Sequence, residues 1–187
     1  MREALAAIAA ALAELEADWY LFGAQAAILH GSSRLSDDID VTVWVDDRDR
    51  LLRALSAHDL SIDEDDDDFV QRTRVLAVTH EPSGWSIDIV FAAPGFEDHV
   101  LSRTRWVELG GLRFRVPSPE DVVVMKCLAG RDTDRQDVVA ILAAQDGRID
   151  LDYVRDLLEQ LREALSEDEI VRFFDGALAD ARRATRR

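Results

Sequence analysis

Hydrophobic and polar residues change their spacing near residue 117, so the two halves of the chain predict different structures. Residues 38–45 and 85–92 alternate between aliphatic and polar side chains, which is typical of half-buried strands. Beyond residue 117 the apolar residues recur at helical spacing. The pattern predicts an α/β (α+β) core over residues 1–116 and a C-terminal helical bundle over residues 117–187.

The same patterns of apolar and polar residues predict the other strands and helices. Strands are predicted over residues 19–23, 38–45, 69–80 and 85–92, with a weaker hairpin over 104–116. The turn-forming residues Glu81–Gly84 join two of these strands as a hairpin. Helices are predicted over residues 2–16, 24–30, 47–58, 119–129, 133–145, 150–164 and 167–184. Ser118 and Pro119 mark the start of one of these helices, and Gly130 marks its end.

Composition limits the class of protein. The 187 residues are 48% hydrophobic and 32% charged, enough to bury a core in one domain or in a small core with a helical appendage. The longest apolar stretches are shorter than the ~20 residues needed to cross a bilayer, so no membrane partner is expected. Cys127 is the only cysteine, which excludes an intrachain disulfide and favours a cytoplasmic location.

The formal net charge is −16, which disfavours a protein that coats nucleic acid through broad phosphate neutralisation. The densest acidic run, residues 63–68, is predicted to be a solvated loop. The last residues, 181–187, form a local basic patch.

Two carboxylates lie two residues apart on a predicted strand. Asp38 and Asp40 therefore share one face, and the aliphatic residues between and after them share the other. Like charges held side by side destabilise a sheet unless a cation neutralises them. Hard oxygen ligands suit Mg²⁺, so the pair predicts a magnesium site.

A third carboxylate repeats this arrangement. Asp88 lies between Ile87 and Ile89 in the middle of another predicted strand, where a lone charge is costly unless it belongs to a site. If the two strands are neighbours, Asp88 joins Asp38 and Asp40. Three carboxylates can hold two metal ions roughly 4 Å apart for nucleotidyl transfer. The alternative is that all three acids face water on a one-sided sheet.

The segment "FGAQAAILHGSSRLSDDID" (residues 22–40) resembles the nucleotidyltransferases of the DNA polymerase β superfamily, and within it the AbiEii-type enzymes of abortive infection and toxin–antitoxin pairs. The resemblance covers residues 19–45, and continues through Asp88 and residues 117–142. It implies a polymerase-β-like mixed sheet flanked by helices. The matching residues are Gly23, Ala24, His30, Gly31, Arg34, Ser36, Asp38 and Asp40.

The resemblance also implies nucleotide-binding residues. A glycine after a strand lets phosphate approach the backbone, and the following helix offers free N–H groups. Gly23, Ala24, Arg34 and Ser36 are expected there, although Arg34 would alternatively pair with the nearby acids. Ala24 stands where the family usually has a serine that contacts triphosphate. In a second alignment with the family, Gly31 and Ser32 occupy the positions of that glycine and serine.

Lys126 is the only lysine, against 21 arginines among the 22 basic residues. The segment "VVVMKCLAGRDTDRQDVVAIL" resembles later motifs of the same family, which implies that Lys126 contacts phosphate and that Asp137 supports the site with Arg131 nearby. An ammonium is a compact charge that needs no planar partner. An exposed helical lysine is the alternative, and the sequence leaves open whether Asp137 pairs with Arg131 or Lys126.

The function expected from these observations is Mg²⁺-dependent transfer of NMP from NTP to an acceptor hydroxyl, with two metal ions held by Asp38, Asp40 and Asp88. The resemblance suggests the 3′ end of tRNA as acceptor, a toxin role and a cognate antitoxin. A protein or small-molecule acceptor stays open. One alternative is an antibiotic adenylyltransferase of the aminoglycoside-modifying kind. Another is a non-catalytic binding protein on a decayed scaffold, for which Ala24 is the one hint.

Overall fold

The computed structural model describes residues 1–63, 67–145 and 147–184. Part of the acidic run (residues 64–66) and the end of the basic patch (residues 185–187) lie outside the described residues. The elements, in chain order, are α1 (Arg2–Glu14), β1 (Asp18–Leu21), α2 (Gly23–Leu29), β2 (Asp38–Trp44), α3 (Arg48–Ala57), β3 (Leu60–Ile62), α4 (Asp67–Thr73), β4 (Val75–His80), β5 (Trp85–Phe91), α5 (Phe96–Arg103), β6 (Arg105–Leu109), β7 (Leu112–Val116), α6 (Pro119–Ala129), α7 (Asp132–Gln145), α8 (Leu151–Leu165) and α9 (Glu169–Ala184).

The chain forms two compact units. The sheet unit contains residues 1–22 and 36–116, and the helical unit contains residues 23–35 and 117–187. One boundary between them lies between Val116 and Pro117, and the division into a core and a C-terminal helical region stays a prediction. Residues 23–35 were predicted with the α/β core but group with the later helices.

The sheet unit is built on a five-stranded mixed sheet in the order β1-β2-β5-β4-β3. The central pair, β2 and β5, is parallel, and the other neighbouring pairs are antiparallel. A separate antiparallel pair, β6 and β7, follows. The predicted mixed α/β fold is confirmed.

One face of the central strands carries the core of the sheet unit. Ile39 and Val41 lie opposite Ile87 and Ile89 on β5, and all four side chains are fully buried. Burying aliphatic area at about 25 cal/mol per Å² is the main stabilising contribution here. Since side chains alternate along a strand, the residues between them lie on the other face.

The helical unit packs α2 against α6 and α7, and it packs α7 against α9. The predicted caps of α6 are present: Ser118 accepts a hydrogen bond from the Asp121 backbone N–H, and Gly130 ends the helix at φ +65°. Gly31 has φ +122°, and a Cβ there would lie 2.2 Å from Cβ of Ala144. Only glycine fits this close approach after α2.

Three details differ from the prediction. The strand predicted over residues 69–80 is wrong in its first part, because α4 ends at Thr73 and β4 begins at Val75. Arg74, between them, has φ +58° and donates its N–H to the Val70 carbonyl, which closes a helical turn. The short strand β3 and the helix α5 were not predicted. None of the helices in the described part of the chain has the length and apolarity to cross a membrane.

Candidate functional site

Three aspartates occupy one face of the two central strands. Asp40 on β2 lies directly opposite Asp88 on β5, and Asp38 lies two residues earlier opposite Ser86. All three are half-buried, whereas the isoleucines beside them on the opposite face are inaccessible to water. The expected adjacency of the two acid-bearing strands is therefore present, and we call these three residues the acidic face.

The acidic face is electrostatically costly by itself. Burial raises the pKa of the Asp88 carboxyl, and the negative charges of Asp38 and Asp63 raise it further. The Ser36 hydroxyl donates a hydrogen bond to Oδ1 of Asp38. Crowded carboxylates with a raised proton affinity are common at functional sites, where a bound cation or a transferred proton relieves the repulsion.

The donor chemistry of the acidic face suits Mg²⁺, which prefers carboxylate oxygens. Over residues 1–63, 67–145 and 147–184, no three His, Cys, Asp or Glu side chains are already grouped to hold a metal ion. Mg²⁺ often binds through one or two carboxylates and completes its shell with water and substrate phosphates. The Asp40–Asp88 pair therefore fits an ion that arrives with a nucleotide better than it fits a preformed protein cage.

A second polar group lies in the helical unit around Lys126. Its Nζ lies 2.9 Å from Oδ1 of Asp134 and 2.8 Å from Oδ2 of Asp137, and the lysine side chain is only 5% exposed. The alternative of an exposed helical lysine is excluded. Helix α6 provides the lysine and α7 provides both aspartates, which lie one turn apart on one face.

Asp137 connects this lysine to the segment after α2. The Ser32 hydroxyl donates to Oδ1 of Asp137 at 2.7 Å, and it accepts the Arg34 backbone N–H at 3.3 Å. The Arg34 guanidinium approaches Oδ2 of Asp137 with Nη2 at 3.4 Å. Asp137 thus pairs with Lys126, one of the two partners that the sequence left open, and it also contacts Arg34.

Arg131 pairs with the other carboxylate. Its Nε donates to Oδ2 of Asp134 at 2.6 Å, while its side chain is 69% exposed. We call Ser32, Arg34, Lys126, Arg131, Asp134 and Asp137 the lysine cluster. Burial alone would raise the pKa of Asp134, but the hydrogen bonds from Arg131 and Lys126 outweigh it and lower the pKa.

The pKa of Asp137 is lowered in the same way. Burial opposes ionisation, and the hydrogen bonds from Lys126 and Ser32 outweigh it, with support from Arg34. Both carboxylates of the lysine cluster are therefore charged at neutral pH. Asp134 and Ser32 were not assigned to the site from sequence, although the spacing of Asp134 and Asp137 already placed them on one helix face.

The remaining predicted residues lie at the start of α2. Gly23 has φ +61° and is the first residue of α2, which follows β1. The predicted order of strand, glycine and helix is therefore present. Ala24 is buried. Gly31 and Ser32 instead follow α2, and the Ser32 hydroxyl is bound to Asp137. A nucleotide contact by Gly23 or Ala24 stays a prediction from the resemblance.

The mixed sheet with an Asp-x-Asp strand beside a parallel strand that carries a third aspartate defines a nucleotidyltransferase-type fold. Solved structures support this class. The antibiotic-resistance factor ANT(2″)-Ia is similar with a TM-score of 0.59 and 16% identity over 87% of this chain and 92% of that one. The lincosamide antibiotic adenylyltransferase LnuA is similar with a TM-score of 0.55 and 14% identity over 75% of this chain and 94% of that one.

An antigenic nucleotidyltransferase-like protein from Paracoccidioides brasiliensis is also similar, with a TM-score of 0.53 and 18% identity over 90% of this chain and 91% of that one. No curated protein matches the chain. The chain belongs to the family described as "Nucleotidyltransferase of unknown function (DUF6036)", whose model matches residues 3–185. It is therefore a nucleotidyltransferase; the finer resemblance to the AbiEii-type enzymes stays a prediction.

Proposed function

We propose that the chain transfers a nucleoside monophosphate from an NTP to an acceptor hydroxyl with the help of Mg²⁺. The observation that carries the proposal is the register of β2 and β5, which sets Asp40 opposite Asp88 with Asp38 on the same face. Three carboxylates on one face of two neighbouring strands repel one another, and metal-dependent nucleotidyl transfer is a chemistry that uses such a group.

The reaction replaces a phosphoanhydride bond of the NTP with a phosphoester bond to the acceptor. The acceptor oxygen bonds to the α-phosphorus, the bond from that phosphorus to the bridging oxygen breaks, and pyrophosphate leaves. Asp38, Asp40 and Asp88 would hold two Mg²⁺ ions, which when bound neutralise phosphate charge and polarise the phosphoryl oxygens. Asp88 is also proposed to accept the proton of the acceptor hydroxyl.

Arg34 is the phosphate contact that the helical unit supports best. Its Nη2 lies 3.4 Å from Oδ2 of Asp137, and its buried Nε has no hydrogen-bond partner among the described residues. An arginine with unused donors is suited to a phosphate oxygen. Gly23, Ala24, Ser36 and Arg131 are proposed as nucleotide-binding residues from the family resemblance.

The choice of acceptor is based on the net charge of the chain. A net charge of −16 disfavours a broad RNA footprint, so a hydroxyl-bearing small molecule, cationic like an aminoglycoside, is the first acceptor to test. A relative of the same fold has been solved in complex with adenylyl-2″-tobramycin. The 3′ end of tRNA, with a toxin role and a cognate antitoxin, is the second candidate and is supported by the segment from Gly23 to Asp40.

The test is a transfer screen with the four NTPs labelled at the α-phosphate, in Mg²⁺ or in EDTA, against aminoglycosides, lincosamides, total tRNA and a protein extract. We expect transfer by the wild type in Mg²⁺ and none by Asp40→Ala. Asp49→Asn, an exposed carboxylate on α3, is the matched control and should be as active as the wild type. Transfer that persists in Asp40→Ala would overturn the mechanism. A folded wild type that binds neither NTP nor Mg²⁺ in calorimetry would instead support the non-catalytic alternative.

A further inference from the structure

We propose that Lys126 is a positioning residue, whose ammonium fixes Asp137 so that Asp137 can hold Ser32 and Arg34 in place for the nucleotide. The inference rests on the proposed function, since it gives Arg34 its phosphate. It differs from the direct contact between Lys126 and phosphate that the resemblance implies.

The contacts form a continuous path. Lys126 Nζ binds Oδ2 of Asp137 at 2.8 Å, and Oδ1 of the same carboxylate accepts the Ser32 hydroxyl at 2.7 Å. The Ser32 oxygen accepts the Arg34 backbone N–H, and the Arg34 guanidinium approaches Asp137 itself. One carboxylate thus holds both the backbone and the side chain of Arg34.

The lysine has little opportunity to touch a ligand. Its side chain is 5% exposed, and its ammonium already pairs with two carboxylates. To reach a phosphate it would have to abandon one of two buried charges, and leaving a buried charge unpaired is strongly unfavourable. The exposed cations of the lysine cluster are instead Arg34, at 31%, and Arg131, at 69%.

Lys126 is enclosed between two carboxylates, Asp134 and Asp137, whereas Arg34 and Arg131 are the cations of the lysine cluster that reach solvent. The enclosed position also accounts for lysine in an arginine-rich chain, because an ammonium fits between two carboxylates without the space that a planar guanidinium needs.

The sharpest test is Asp137→Asn, because the two roles of Lys126 predict opposite results. If Lys126 positions Arg34 through Asp137, the substitution should speed amide hydrogen exchange in a peptide covering residues 31–36. It should also raise the KM for NTP by roughly ten- to hundredfold, the range for losing a charge-assisted hydrogen bond, and change kcat less. If Lys126 binds phosphate directly, loss of the neighbouring carboxylate should leave the KM unchanged or lower it.

Two further variants complete the design. Lys126→Met should reproduce the faster exchange and higher KM, provided circular dichroism shows it folded. Arg135→Gln is the matched control. Arg135 also lies on α7, but it pairs with Asp180 on α9 and does not belong to the lysine cluster. We expect it to change neither readout.

The proposal is overturned if Asp137→Asn leaves exchange over residues 31–36 unchanged, or if it fails to raise the KM. If the wild type transfers no nucleotide, the proposed function falls separately. The exchange measurement then still decides whether Asp137 holds the segment, because it needs no substrate.

Discussion

Lys126 Nζ lies 2.8 Å from Oδ2 of Asp137, and both side chains are withdrawn from water. A buried ion pair of this kind adds little net stability over an apolar replacement, but breaking it is costly because a charge is left unpaired. The pair therefore makes the helical unit sensitive to the loss of one partner.

We expect Lys126→Met to lower the free energy of unfolding by about 3–5 kcal/mol, the range for removing one partner of a buried pair. Lys126→Arg keeps the charge but should still destabilise, since a larger planar group must enter an enclosed site. Urea denaturation followed by circular dichroism measures both. A Lys126→Met variant as stable as the wild type would show that Asp134 and Asp137 do not depend on the ammonium.

The stability of the helical unit should fall in acid because of the same cluster. The pKa values of Asp134 and Asp137 are lowered below the ordinary value of an aspartate, so the unfolded chain binds more protons than the folded one as the pH falls toward that ordinary value. Their contribution is therefore complete above the unfolded pKa and is lost as the pH falls through the folded values. Urea midpoints measured from pH 6 down to pH 2.5 should decline, and the double variant Asp134→Asn/Asp137→Asn should show a smaller decline.

Local sequence patterns predicted most of the helices and strands. They failed for segments whose structure is determined by tertiary contacts. The period-2 alternation of β2 and β5 was sufficient to place Asp38, Asp40 and Asp88 on one face. Residues 69–73 contain Val70 and Thr73, β-branched residues that favour a strand, yet a hydrogen bond to the Val70 carbonyl makes them helical. A three-residue strand such as β3 is too short to show a period.

The residue types of the site could be predicted from the sequence, but their arrangement in space could not. Strand register cannot be predicted from the pattern of one strand, so the direct opposition of Asp40 and Asp88 is known only from the pairing of β2 with β5. Lys126 was noticeable only as a lone lysine, because its partners come 8 and 11 residues later, after a turn through Gly130. The spacing of these residues along the sequence does not show that the turn brings the two carboxylates around the buried ammonium.

Asp88→Asn should make the protein more stable and inactive. The substitution removes a carboxylate whose pKa is raised by burial and by the charges of Asp38 and Asp63, so repulsion on the acidic face decreases. We expect a gain on the order of 1 kcal/mol, with loss of nucleotidyl transfer. Thermal unfolding should show the melting temperature rise by roughly 2–4 °C for a chain of this size.

Mg²⁺ provides the control for this prediction. A ligand that binds only the folded state raises the melting temperature, so added Mg²⁺ with NTP should stabilise the wild type and stabilise Asp88→Asn less. Asp49→Asn should behave as the wild type in both conditions. A destabilised Asp88→Asn variant would show that the carboxylate is held by interactions that outweigh the repulsion.

Cys127 should be unreactive until the protein unfolds. Its thiol is buried, and burial together with the charge of Asp134 raises its pKa to about 12. A thiolate population lowered by roughly three orders of magnitude relative to a free cysteine predicts very slow reaction with a disulfide reagent at pH 8. Stopped-flow labelling in native buffer and in urea checks this; fast labelling of the native protein would contradict the buried position.

Gly31→Ala should destabilise the helical unit through two separable effects. The backbone there has φ +122°, and the new methyl group would lie 2.2 Å from Cβ of Ala144. Backbone strain and overpacking each cost about 1–3 kcal/mol, so a total of about 2–6 kcal/mol is expected. Gly95→Ala is the matched control for strain alone, since Gly95 has φ +106° and nothing within 4 Å of the added Cβ. Adding Ala144→Gly to Gly31→Ala removes the clash but not the strain, so a double-mutant cycle should give a favourable coupling of at least about 1 kcal/mol. Additive effects of the two substitutions would mean that the loop after α2 does not approach α7 at this position.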